Sequence, residues 1–373
     1  MSRATTVRLD LGALVHNLRR VRAVAPGRRV AAAVKANGYG HGLMPVARAL
    51  MDAYTDAFAV ASIDEAQILY RAGIRQRILL LEGIFEAVEL LRCSRYGLNI
   101  AIHHLDQVRM LEMSPRLNRP VRVWLKIDTG MHRLGLNPAQ VPELFRRLMD
   151  CPAVAPGIGL MSHLARADER DCDVTLQQLQ VFEQATAGLP GARSLANSAG
   201  ILGWPQTHFD WVRPGIMLYG ASPFADSLAV DEGLRPVMTF QTQLIAINRL
   251  RQGDPVGYGG TWICPEDMDV GVAAVGYGDG YPRHAPSGTP VLVNSREAAL
   301  IGRVSMDMIT MDLRQHPEAR RGDPVVLWGE GLPVERIAQA AGTISYELTC
   351  GITARVRVET VQTIENDVPQ PSR

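Results

Sequence analysis

"AAAVKANGYGHG", residues 31–42, joins two kinds of chain that rarely meet. Ala31 to Val34 is a short apolar run of the sort that forms a strand buried on both faces, and a turn with Gly38, Gly40 and Gly42 follows. Between them stands Lys35, an ammonium group at the inner end of a hydrocarbon element. One reading lays its stem on apolar surface with the head in water. The other desolvates the amine, lowers its pKa and makes it a nucleophile toward carbonyl groups.

Seven further runs share the texture: "DAFAVAS" (56–62), "QRILLLEG" (76–83), "GLNIAIHH" (97–104), "VRVWLKIDTG" (121–130), "GIGLMSHL" (157–164), "ARSLANSAG" (192–200) and "WVRPGIMLYG" (211–220). Segments of helical spacing lie between and before them. In "LDLGALVHNLRRVRAVA", Leu11, Leu14, Val15, Leu18, Val21 and Val24 share a face, with Asp10 as N-cap. "IDEAQILYRAG" stops at Gly73, and "NPAQVPELFRRLMD" opens on Asn137 as cap with Pro138 at the first helical position. Eight buried strands alternating with helices predict an α/β fold, a closed parallel (β/α)8 TIM-like barrel over residues 10–232. An open doubly wound sheet also yields continuous apolar strands. The barrel is preferred because its strand ends converge at one mouth.

From residue 233 to 373 the texture changes to alternating, Gly- and Asp-punctuated runs such as "MTFQTQLIAINRLRQGDPVGYGGTW", "DVGVAAVGYGDGYP" and "AALIGRVSMDMITMDL". These predict a mostly antiparallel β domain, on which residues 1–9 are expected to pack. Only "VERIAQAAG" reads as helical there, and the C-terminal "NDVPQPSR" is expected to fray.

The 39 basic and 38 acidic residues give a net charge of +1, so nothing argues for nucleic acid or an anionic membrane surface. Five scattered cysteines form no CxxC pair and read as reduced thiols. No apolar run reaches membrane-spanning length and no signal sequence opens the chain, so the expected location is the cytoplasm. His103 and His104 are adjacent without a third ligand at metal spacing, and no metal site is expected.

In a parallel barrel, chemistry sits where strands end. The polar residues at those ends are Lys35, Lys126 with Asp128 and Arg133, His163, Asn197 with Ser198, and Arg213 before Gly215. Ser198 and Gly215 follow the seventh and eighth runs, the usual barrel phosphate site, and Tyr39 is in reach of the same oxygens. A Schiff-base lysine, a phosphate cradle and an arginine suited to a ring nitrogen together point to pyridoxal 5'-phosphate.

The blocks "AVKANGYGHG", "LKIDTGMHRLG", "MSHLARADE", "NSAG", "RPGIMLYG", "VGYGGTW", "GYGDGYPR" and "SMDMITMD" resemble the bacterial alanine racemases, in that family's order and across nearly the whole chain. The resemblance implies an isomerase that interconverts L- and D-alanine by two-base proton transfer. Lys35 would hold the cofactor and serve as one base, with Tyr258 as the other. Arg213 would face the pyridine nitrogen, with His163 beside it supporting the phenolate through a hydrogen-bonded chain. Tyr39, Ser198, Gly215, Ile216 and Tyr346 would hold the phosphate. Arg133, Met306 and Asp307 would meet the substrate, Tyr277 and Arg283 would narrow its entry, and Lys126 would be open to carbamylation. The family's head-to-tail homodimer would bring one subunit's Tyr258 to the other's barrel. Gly38 stands where the family commonly has Ala, and His132 where some members have Gly; neither touches a reacting atom.

Rival readings are a broad-specificity amino-acid racemase, a barrel-type decarboxylase and a pyridoxal-phosphate homeostasis protein. The last lacks the β domain that carries Tyr258. D-alanine supply for peptidoglycan precursors and alanine breakdown would use the same chemistry.

Overall fold

The computed structural model describes residues 3–114 and 117–362; "NDVPQPSR" lies outside them. It divides into two compact units, each described by itself. One is Asn17–Leu218 with Pro223–Ser227; the other takes the chain up to His16, Tyr219–Ser222 and the chain from Leu228 onward.

The first strand, β1 (Thr6–Asp10), belongs to the second unit. The barrel begins with β2 (Arg29–Ala33) and runs through β3 (Ala57–Val60), β4 (Arg77–Leu80), β5 (Asn99–Ile102), β6 (Arg122–Lys126), β7 (Gly159–Met161), β8 (Arg193–Ser194) and β9 (Trp211–Val212). Neighbours pair in parallel and β9 returns to β2, closing the eight-stranded barrel expected from the apolar runs. The strands are short because each run is half strand and half βα loop, which carries the polar residues beyond the last ladder bond. Asp10 caps α1 (Leu11–Val24) by accepting the Gly12 and Ala13 N–H groups. Asn137 accepts the Ala139 N–H, but the turn it opens, Pro138–Gln140, is a 3-10 turn that precedes the α-helix Val141–Met149.

In the second unit the long β10 (Met238–Leu250) bends at a register shift between Leu244 and Ala246. A small hairpin follows, β11 (Pro255–Val256) with β12 (Trp262–Ile263). Then come β13 (Met268–Ala273), β14 (Pro290–Val293), β15 (Arg296–Ile301), β16 (Ile309–Asp312), β17 (Pro324–Trp328) and β18 (Arg357–Val361). The sheet order is β13-β16-β15-β14-β17-β10-β1-β18, and β10 also pairs with β13. Every ladder is antiparallel except β1 with β18, so the N-terminal strand is stitched into this unit. The helix expected from "VERIAQAAG" is Val334–Ala341; a second, Ser345–Cys350, was not legible because its six residues span too little for a periodic pattern.

Candidate active site

Lys35 opens a turn whose backbone is left-handed from Ala36 to Tyr39, with φ of 52°, 55°, 62° and 53°. Only Gly38 adopts that region without cost; each L-residue there costs roughly 1–2 kcal/mol. The surroundings hold it by named bonds. The Ala36 N–H donates to Glu65 Oε1 at 2.7 Å, the Leu43 N–H to Asn37 Oδ1 at 2.8 Å, and the Gly42 N–H to the Asn37 carbonyl at 2.8 Å. His41 Nδ1 lies 2.8 Å from the Tyr39 carbonyl. Glu65 was not singled out from the sequence. Its Ser62-x-x-Glu65 spacing signals a capping box, which it forms, but nothing local shows its reach to Ala36.

The turn delivers the Tyr39 hydroxyl onto Gly215, where a Cβ would stand 2.5 Å from that oxygen. Ser198 Oγ, buried, accepts the Gly215 N–H at 2.9 Å and the Met217 N–H at 3.4 Å. Asn197 fixes the helix Ser198–Gly203 by capping the Gly200 N–H and donating to the Leu164 carbonyl. A hydroxyl pair and backbone amides thus gather after β8 and β9, a cradle sized by the missing side chain of Gly215.

Arg213 is buried, and among the described residues it has no carboxylate partner. Its guanidinium donates to Ser194 Oγ and the carbonyls of Ser162 and Leu195, and lies 3.4 Å from His163 Nδ1. Burial lowers its pKa to about 10, below the ordinary guanidinium range but still protonated at neutral pH. Lys126 is pushed down to about 8, first by burial, then by Arg213, Arg133 and Lys35, with Glu82 opposing. Burial and the same four cations hold His163 well below the imidazole range, so it is neutral. Lys35, Lys126, Arg133, His163 and Arg213 therefore form one electrostatic group. Gln178, also missed from sequence, backs it: its amide donates to Thr129 Oγ1 and the His163 carbonyl and accepts the Ala165 N–H, tying the loops after β6 and β7 together.

The remaining predicted residues, Ile216 apart, lie in the second unit. Tyr258 is 66% exposed in the hairpin between β11 and β12. Tyr277, Met306 and Asp307 come together: the Tyr277 N–H donates to the Ser305 carbonyl and the Gly278 N–H to that of Met306. Asp279, fully buried, accepts from Arg3 and Arg355 at 2.7 Å each, and both arginines also pair with Asp307. "GYGDG" hides this role because it resembles a plain glycine-rich turn. Arg283 is exposed on the loop after Tyr281, and Tyr346 stands on the helix Ser345–Cys350. Ile216 is buried at the start of the turn Ile216–Tyr219 in the chain after β9. Among the described residues no cluster of His, Cys, Asp and Glu could hold a metal ion, and no helix is long and apolar enough to cross a membrane.

A parallel barrel with an amine, a buried guanidinium and an oxyanion cradle at the C-terminal ends of its strands is the frame of a barrel enzyme. The particular kind follows from comparison. Residues 9–223 match the family model "Alanine racemase, N-terminal domain" and residues 237–360 match "Alanine racemase, C-terminal domain". The chain belongs to the alanine racemase family. It is 56% identical to the alanine racemase of Nitrosococcus oceani, over 93% of this chain and 97% of that protein. It is 52% identical to the biosynthetic alanine racemase of Escherichia coli K12, over 96% and 99%. The crystal structure of the biosynthetic alanine racemase from Pseudomonas aeruginosa superposes with a TM-score of 0.94 at 46% identity, covering 96% of this chain and 99% of that one.

Proposed function

We propose that this enzyme interconverts L- and D-alanine, using pyridoxal 5'-phosphate held at the barrel mouth. The observation that carries the reading is the excess of positive charge there: Lys35, Lys126, Arg133 and Arg213 all act on His163, and Arg213 has no carboxylate partner among the described residues. An anionic ligand would offset that excess charge. The Ser198–Gly215–Tyr39 cradle fits a phosphate without using one of those cations.

When bound, the cofactor supplies an electron sink that acidifies the α-proton of the attached amino acid. Lys35 Nζ holds it and serves one side of the substrate Cα; the hydroxyl of Tyr258 serves the other. Racemisation needs both, because the proton must leave one face and arrive on the opposite one. Arg213 offers the ring nitrogen a donor that keeps its own proton at neutral pH. His163, neutral, links Arg213 to the phenol's surroundings. Tyr346 and Ile216 complete the phosphate site, while Arg133, Met306 and Asp307 meet the substrate carboxylate and Tyr277 with Arg283 narrow the entry. Lys126, with a pKa of about 8, is in part an uncharged amine at neutral pH and so open to carbamylation. The exposure of Tyr258 and Met306, at 66% and 52%, supports a head-to-tail homodimer that covers them. Five free thiols fit a cytoplasmic location.

The test is incubation of the holoenzyme with L-alanine in D2O. α-Deuterated D-alanine is expected. Exchange without D-alanine would remove Tyr258 from its role, and the absence of both would overturn the reading. Tyr258→Phe should retain the cofactor and slow proton transfer.

A further inference from the structure

The opposite end of the barrel carries a second concentration of positive charge that the proposed reaction does not use. Side chains of alternate strands form tiers across a closed barrel, and branched apolar residues usually fill them. Ala31 of β2 and Trp124 of β6 point into the lumen, where they cluster with Ala57, Ala192 and Trp211; Leu79 of β4 meets Trp124 there too. Two residues earlier on the same three strands, and therefore on the same face, stand Arg29, Arg77 and Arg122. The lowest tier is thus three guanidinium groups where hydrocarbon is the rule.

All three are exposed at this end of the barrel, and two of them approach one indole. The guanidinium carbons of Arg29 and Arg77 lie 5.5 and 5.9 Å from the centroid of the Trp211 ring, which is itself 4% exposed and set edge-on to Trp124. At these distances the two cations lie within range of a cation–π attraction to one indole, which leaves their N–H groups free for a ligand. Among the described residues none of the three side chains has a hydrogen bond or ion pair with the protein. Arg77 is depressed below its usual range by burial, then by the charges of Arg122 and Arg29; Asp56 opposes this, but its Oδ2 is engaged by the Val30 N–H at 2.9 Å.

We propose that this tier is a seat for a multivalent phosphoryl oxyanion, with Arg29, Arg77 and Arg122 as its donors. A phosphoryl group presents three terminal oxygens that the three forks can share, and it carries up to two negative charges to set against the tier. A single carboxylate satisfies one fork and leaves two repelling. The seat is independent of the proposed reaction, which lies at the other end of the strands.

The probe is pyrophosphate, titrated into holoenzyme at low salt and followed by calorimetry, so that the cofactor occupies its own phosphate cradle. One saturable site per chain is expected. Arg77→Gln should weaken it about tenfold or more, the loss of one bidentate pair, and the triple Arg29→Gln, Arg77→Gln, Arg122→Gln variant should abolish it, with racemisation unchanged. Should the triple variant fail to fold, Arg77→Lys keeps the charge and loses the fork; affinity equal to the parent would overturn the bidentate geometry. No saturable binding to the parent, or equal binding to the triple variant, overturns the seat. Citrate bound as tightly as pyrophosphate overturns the phosphoryl assignment.

Discussion

Glu65→Ala asks what keeps the lysine turn in its strained shape. Ala36, Asn37 and Tyr39 each sit at positive φ, so together they store about 3–6 kcal/mol. Against this, the Glu65 carboxylate accepts the Ala36 N–H at 2.7 Å and the Ala61 N–H at 2.9 Å. Hydrogen bonds to a charged group contribute about 1.5–3 kcal/mol each when buried. Glu65 is half-buried and Ala36 is exposed, so water replaces part of what is lost. A net loss of about 2 kcal/mol is expected, a third or more of the stored strain. The turn should then open locally rather than unfold the barrel. Urea unfolding should report the stability loss. Native-state hydrogen exchange should show faster exchange at Gly38 and Gly40, whose N–H groups bond Val34 and Ala36 across the turn. Release of the cofactor should accelerate as well. Glu65→Gln, which keeps one acceptor oxygen, should recover about half of the loss. A Glu65→Ala protein with stability within about 0.5 kcal/mol of the parent and unchanged exchange at Gly38 and Gly40 would refute the reasoning.

Gly215→Ala places a Cβ 2.5 Å from the Tyr39 hydroxyl and 3.1 Å from its Cζ. The buried ring must shift, at about 1–3 kcal/mol, and cofactor affinity measured by equilibrium dialysis should fall at least about tenfold. For Lys126, the sign follows from its folded pKa of about 8 against 10.5. Below pH 8 both states are protonated and the folded one carries the full burial penalty. Between pH 8 and 10.5 the unfolded chain binds more protons, so stability rises with pH, by about 3 kcal/mol from this group. Denaturation measured across that range should show the rise in the parent and its loss in Lys126→Met. The His163 ring signals should titrate at lower pH than a free imidazole, and Arg213→Gln, which removes the largest charge acting on it, should move them upward.

The barrel strands were legible because burial on both faces leaves a trace along the chain: eight apolar runs, each ending in polar or glycine residues, with helical periods between; a doubly wound sheet would leave the same trace, and the convergence of the strand ends favoured the barrel. The same logic singled out Lys35, Lys126, His163, Ser198 and Arg213, since a polar residue at the end of an apolar strand contradicts its surroundings. The β unit was legible from its turns, and the pairing of residues 6–10 with 357–361 is a contact across almost the whole chain that no local pattern encodes. Tertiary structure alone decided the partners. Glu65 lies 29 residues from the amide it grips, Asp279 joins Arg3 to Arg355, and Gln178, on the helix Val174–Thr186, ties two loops together. The arginine tier belongs to the same class. Arg29, Arg77 and Arg122 each begin a strand and read singly as solvated ends; only closure of the barrel turns three separate strand starts into one ring. Sequence fixes which side chains conflict with their neighbours along the chain, because periodicity is local. Which distant groups relieve the conflict depends on loop closure and register, and those exist only once the chain has folded.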